Sequence, residues 1–234
     1  MTSVSGLSTG TYSHVLANAG QKQSPSPKSE NAPAPAEKSM SGAVKAPPGS
    51  LASAAATARE TIDAGYARLG TTGTTRTTGD EWDAIGFKDF DRQTLYAISS
   101  NEGGLFTDEE ITAAKYQVSA RISDIINAND PLADNGIKAY RAILDFYDAA
   151  SDDEKASFEW AIARASAQKS YMLSGGTENV GTGDRVVDKL VEAWDQVIAR
   201  NGNSNDYPNM PAYREALTWW SQANDGAHRV DLRA

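Results

Sequence analysis

The chain has 234 residues, with 31 Asp and Glu against 22 Lys and Arg and a formal net charge of −9 at pH 7. That balance argues against nucleic acid and against an anionic membrane surface, both of which select basic patches. The absence of cysteine excludes disulfides, thiolate metal centres, cysteine nucleophiles and iron–sulfur clusters, and with no apolar run of about 18 residues no membrane span is expected.

The first 50 residues hold six of the nine prolines and one of the nineteen aromatics, Tyr12. Stretches such as SPSPKSENAPAPAEK cannot bury enough apolar surface to offset the entropy of ordering, so a disordered tail is expected over 1–50. The tail carries net +2, which leaves −11 on the rest. No charged-then-apolar leader opens the chain. The uncharged beginning MTSVSGLSTGTYSH is similar to the uncleaved export signals of bacterial flagellar and type III secretion substrates. That likeness implies secretion without a cleaved signal peptide; the other expectation is a cytoplasmic protein.

Beyond the tail, helical spacing dominates and period-two alternation is scarce, which predicts an all-α fold of about six to eight helices. The alanine-rich segment LASAAATARETIDAGYARLG predicts a helix from Leu51. TTGTTRTTG then reads as a linker, so 51–79 forms a helix and hinge ahead of a helical domain over 80–234. In DEWDAIGFKDFDRQTLYAISS, Gly86 interrupts one helix and Asp91 is placed to cap the next.

Residues 99–110 read SSNEGGLFTDEE between two helical patterns. A twelve-residue calcium loop needs oxygens at positions 1, 3, 5, 7, 9 and 12 and glycine at position 6. Counting from Ser99, Gly104 stands at position 6, the apolar plug Phe106 at 8 and Glu110 at 12. Leu95 and Ile98 before the stretch, and Ile111, Ala114 and Val118 after it, give both flanks an apolar face. With its flanks, about residues 91–120, the stretch resembles the helix-loop-helix of an EF-hand. The resemblance implies coordination by Ser99, Asn101, the Leu105 carbonyl, Thr107 and Glu110. Ser99 stands where the family has Asp, Gly103 where it has an oxygen-bearing side chain, and Glu102 falls at position 4, outside the ligand set. One charged ligand predicts weak calcium binding or none. The same letters also form a capping box, Thr107 with Glu110 three residues on, at an ordinary helix start.

The following helix is expected over 108–128, with Ile111, Val118, Ile122 and Ile125 on one face, ended by NDPLADNG. The next carries Ile137, Tyr140, Ile143, Leu144 and Tyr147. DAASDDEKASFE offers carboxylates, but Asp153 and Lys155 stand where a second calcium loop needs its glycine and its plug, so it reads as a turn with Ser151 capping through Glu154. A helix with Phe158, Ala161, Ile162, Ala165 and Met172 inward follows. After the loop SGGTENVGTGD comes the most regular stripe, Val187, Leu190, Val191, Trp194, Val197 and Ile198. NGNSNDYPNMP separates it from a last helix with Tyr213, Leu217 and Trp220. Adjacent residues diverge by about 100° on a helix, so Trp219 and Trp220 cannot both face one core.

Catalytic patterns are sparse. NEGG resembles the region of phage-type peptidoglycan hydrolases in which a glutamate acts as general acid, which would assign that work to Glu102; here FTDEEITAAKYQ returns directly to helix. GTGDRV lacks the βαβ setting of a dinucleotide site, and Asp184 reads as a helix cap. His14 and His228 are the only histidines, too few for a His-ligated metal centre. The reading is a non-enzymatic interaction or regulatory module that binds a protein partner and uses no cofactor beyond weak calcium. Its alternatives are a secreted bacterial effector and a glycoside hydrolase using Glu102.

Overall fold

In a computed structural model, residues 47–71 and 79–228 are described. The predicted tail up to residue 46, most of the Thr/Gly linker (72–78), and His14 lie outside them, as does the side chain of His228. The described residues are helical, with no strand among them, as the spacing predicts. None of their helices is long and apolar enough to cross a membrane. They fall into two compact units, one ending at Lys115 and one beginning at Tyr116.

In the first unit, helix α1 (Leu51–Leu69) is opened by Ser50, whose hydroxyl accepts from the Ser53 N–H, and closed by Gly70 at φ 67. Glycine closes helices in this way because the left-handed conformation carries no Cβ penalty. Ala55, Ala58, Ile62 and Tyr66 form its buried face. Helix α2 (Gly79–Ile85) stops at Gly86, φ 120, and a 3-10 turn follows over Phe87–Asp89. Asp91 caps α3 (Arg92–Ser99) by accepting from the Thr94 N–H at 2.8 Å. Gly86 and Asp91 thus act as the sequence predicts. Trp82, Phe87 and Phe90 make an edge-to-face series with centroids 4.8 and 5.5 Å apart, and Tyr66 joins it at 6.5 Å. A 3-10 turn (Glu102–Gly104) leads on to α4 (Asp108–Asn129), which continues past Lys115.

The second unit holds the rest of α4, then α5 (Ile137–Asp148), the single turn α6 (Asp152–Lys155), α7 (Phe158–Leu173), α8 (Arg185–Ala199), a 3-10 segment (Ser204–Asn209) and α9 (Pro211–His228). Helix α7 packs against α5 and α8, and α8 against α9. Tyr140, Ile143, Leu144, Phe158, Ile162, Leu190 and Trp194 belong to one core. Tyr207, from the segment read as a break, stacks on Trp194 at 4.3 Å and donates to the Leu190 carbonyl at 3.0 Å. Trp220 packs on Phe158 and donates to the Ala156 carbonyl, while Trp219 lies under the cations of Arg185 and Lys189.

Two details correct the sequence reading. Met172 and Ile198, expected inward, are 47% and 42% exposed. Tyr171 and Val197 hold the inward places instead, and a step of about 100° carries the next residue off the face. The SDDE segment is the short turn that the sequence predicts: Ser151 caps α6 by accepting from the Glu154 N–H, and Ser157 caps α7 by accepting from the Trp160 N–H.

Helix α1 approaches α2 closely at Gly65, where a Cβ would lie 2.7 Å from the Ile85 carbonyl oxygen and 2.8 Å from its Cα. Backbone cannot yield as a side-chain tip does. Gly65→Ala is expected to cost about 1–3 kcal/mol, read as a lowered urea midpoint at unchanged slope.

Candidate functional site

The loop at 99–110 is built from backbone conformation upward. Gly104 at position 6 has φ 68, as the tight turn demands, and Gly103 also has φ 68. That second positive φ favours glycine at position 5, where the EF-hand pattern has a ligand. Asn101, φ 55, completes the left-handed bend and its Oδ1 accepts from the Phe106 N–H at 3.0 Å. Phe106 is buried, as a plug should be.

Glu110 is the centre of the site. Its side chain is 1% exposed, and both carboxylate oxygens accept hydrogen bonds. Oε1 accepts from the Tyr66 hydroxyl at 2.9 Å, while Oε2 accepts from Arg59 Nη1 at 2.9 Å and from the Thr107 N–H at 2.8 Å. The Thr107 hydroxyl accepts in turn from the Glu110 N–H at 3.3 Å, which completes the predicted capping box. Arg59 Nη1 also donates to the Leu105 carbonyl at 3.2 Å. One guanidinium nitrogen therefore bridges the oxygens of positions 7 and 12. The same side chain pairs with Asp63 one turn on, and its Cζ lies 5.9 Å from the centre of the Phe106 ring.

The five residues assigned to calcium are thus placed as follows. The Leu105 carbonyl and Glu110 converge, but on Arg59. Asn101 and Thr107 satisfy backbone groups of the loop, and Ser99 donates to the Tyr96 carbonyl at 3.1 Å. A divalent ion needs several free oxygens with more than one charge among them. Here the one charged ligand is already engaged by three donors, one of them a cation, so the residues present do not fit a calcium ion with Arg59 in place. No group of three or more His, Asp or Glu among the described residues could hold a metal. Glu102 stands half-buried at the head of the 3-10 turn, with no hydrogen-bond or ion-pair partner among the described residues.

Arg59 and Tyr66 are the residues that sequence reasoning missed. They lie 51 and 44 residues before Glu110. They are seven apart on α1, two turns along one side of the helix. Burial opposes the Arg59 charge, but the hydrogen bonds and charges of Glu110 and Asp63 outweigh it and hold the guanidinium above its ordinary value. Burial, and then the hydrogen bond to the Glu110 carboxylate, push the Tyr66 phenol well up.

The second unit has a cavity of about 500 Å³ between α5, α7 and the loop before α8. Its inner wall is Arg164, 2% exposed, whose Nε and Nη2 take both oxygens of Asp148 at 2.6 and 3.2 Å. Its Nη1 reaches Gln168, and Nη2 also reaches the Val180 carbonyl at 2.8 Å. Asp184, at the rim, caps α8 through the N–H groups of Val186 and Val187, as the sequence predicts. These groups hold the loop in place and spend their polar capacity on one another.

No family model matches the chain, and none of the curated proteins or solved structures matches it.

Two outcomes are expected at the Glu110 cluster. Glu110→Gln keeps an acceptor for the cap but removes the charge facing Arg59, and should cost about 1–3 kcal/mol in chemical denaturation. An acid with a raised folded-state pKa keeps its proton after the unfolded chain has lost it. The Tyr66 contribution is therefore complete below the ordinary value of 10.0 and is lost as pH rises beyond it. Tyr66→Phe should flatten the fall in stability measured above pH 10, leaving the share due to Tyr207 and Tyr213, which burial also pushes up.

Proposed function

We propose that this protein is a non-enzymatic helical interaction module that binds a protein partner, and that its EF-hand-like loop is a fixed joint rather than a calcium sensor. One observation carries the reading. The single charged ligand of the loop is consumed internally, by Arg59, Tyr66 and the Thr107 N–H. A sensor loop changes its helix geometry when an ion arrives, and this loop has no uncommitted carboxylate at a ligand position with which to receive one. The sparse catalytic material points the same way: histidine is scarce, cysteine is absent, and Glu102 has no partner group to tune or orient it among the described residues.

The deciding experiment is calorimetric calcium titration of the wild-type chain, with Glu110→Gln as control. No saturable heat is expected below about 1 mM calcium, the range that covers sensor and buffer sites. Saturation in the micromolar range that disappears in Glu110→Gln would replace this reading with a calcium-regulated one.

A further inference from the structure

The loop is missing its metal ligands but not its cation. Position 7 contributes a carbonyl oxygen and position 12 a carboxylate oxygen, and Arg59 Nη1 lies 3.2 and 2.9 Å from the two. These are hydrogen-bond distances to a planar, delocalised cation, longer than the 2.3–2.6 Å or so of calcium coordination. We infer that the loop is a guanidinium-binding site, with Arg59 of α1 as its resident cation in the place where the EF-hand pattern holds a divalent ion.

Four features fit a guanidinium better than a metal. The loop itself offers two acceptors, a carbonyl and one carboxylate, to Nη1, while Asp63 on α1 takes Nε and Nη2; this suits the N–H set of a guanidinium and not the six to eight oxygens of calcium. The loop supplies one charged acceptor, Glu110, which matches a monovalent cation better than a divalent one. The Phe106 ring lies beside the cation at 5.9 Å, a contact open to a flat, weakly hydrated guanidinium and foreign to a coordinated hard ion. Tyr66 donates to the other carboxylate oxygen and so closes it to bidentate metal binding. The glycines that shape the loop are kept for the turn, while the ligand has been exchanged.

The inference rests on the metal-independent joint proposed above and names what replaces the metal. It is tested by chemical rescue in the full chain. Arg59→Ala should unfold at a lower temperature than wild type. Methylguanidinium chloride at about 20 mM should raise its Tm by about 3 °C over sodium chloride of equal ionic strength, by mass action on the folded state. Wild type and the double variant Arg59→Ala/Glu110→Gln should move by less than about 1 °C. If Arg59→Ala does not stay folded alone, the yield on refolding in methylguanidinium against calcium chloride gives the same comparison. No rescue beyond sodium chloride, or better rescue by calcium, overturns the guanidinium site alone. A wild-type chain that calcium stabilises overturns both this inference and the fixed joint.

Discussion

Glu110 is a charged group with 1% of its side chain in contact with solvent, and an ionised carboxylate taken out of water costs several kcal/mol before its partners are counted. The first unit is arranged around that cost. Three donors from two segments converge on the carboxylate: a guanidinium and a phenol from α1, and a backbone N–H at the head of α4. The apolar contacts of α1 come from Ala55, Ala58, Ile62 and the ring of Tyr66. Such contacts are non-directional, so they would tolerate more than one rotation or translation of the helix. The Glu110 bonds are met in only one, because Arg59 and Tyr66 must reach different oxygens of the same group.

The second unit solves the same problem with the polarity reversed. There the buried ion is the cation, Arg164, and the carboxylate of Asp148 stands 44% exposed at its side. Arg164 donates to a carboxylate, an amide oxygen and a main-chain carbonyl, and so ties α5, α7 and the loop before α8 together. Helix α7 is buried nearly all round and also encloses Ser166, Gln168, Lys169 and Ser170. Ser166 accepts from the Trp194 indole at 3.0 Å, and Lys169 pairs with Asp195. A central helix in water-poor surroundings can carry these groups only because each has a partner within reach.

Local rules made most of the helices readable. Asp91, Ser151, Asp184 and the pair Thr107 and Glu110 are caps whose function lies within three residues of themselves, and the stripes of α5 and α8 repeat within one helix. Boundaries set by packing were less legible. Met172 and Ile198 satisfy helical spacing as well as their neighbours do, yet which residue of an adjacent pair faces inward depends on where the partner helix lies. The site was half legible. Gly104, Phe106 and Glu110 announced a loop, while Arg59 carries no local mark that separates it from any other arginine on an exposed helix face. A contact across 51 residues is a product of the fold, and a single sequence holds no spacing rule for it.

Arg59 on the Leu105 carbonyl and the Glu110 carboxylate sets how this loop can behave. A calcium ion is held in proportion to its concentration, so the joint it makes opens when the ion is withdrawn. A guanidinium on a neighbouring helix of the same chain is present at an effective concentration set by the tether, on the order of millimolar or above, and no chelator removes it. Calcium competing for this loop would have to displace Arg59 from both oxygens and take Glu110 from Tyr66 as well, so each internal bond lowers its apparent affinity. The Arg59 contact therefore makes a joint that does not depend on the calcium concentration, with helix α1 of the same chain supplying the cation.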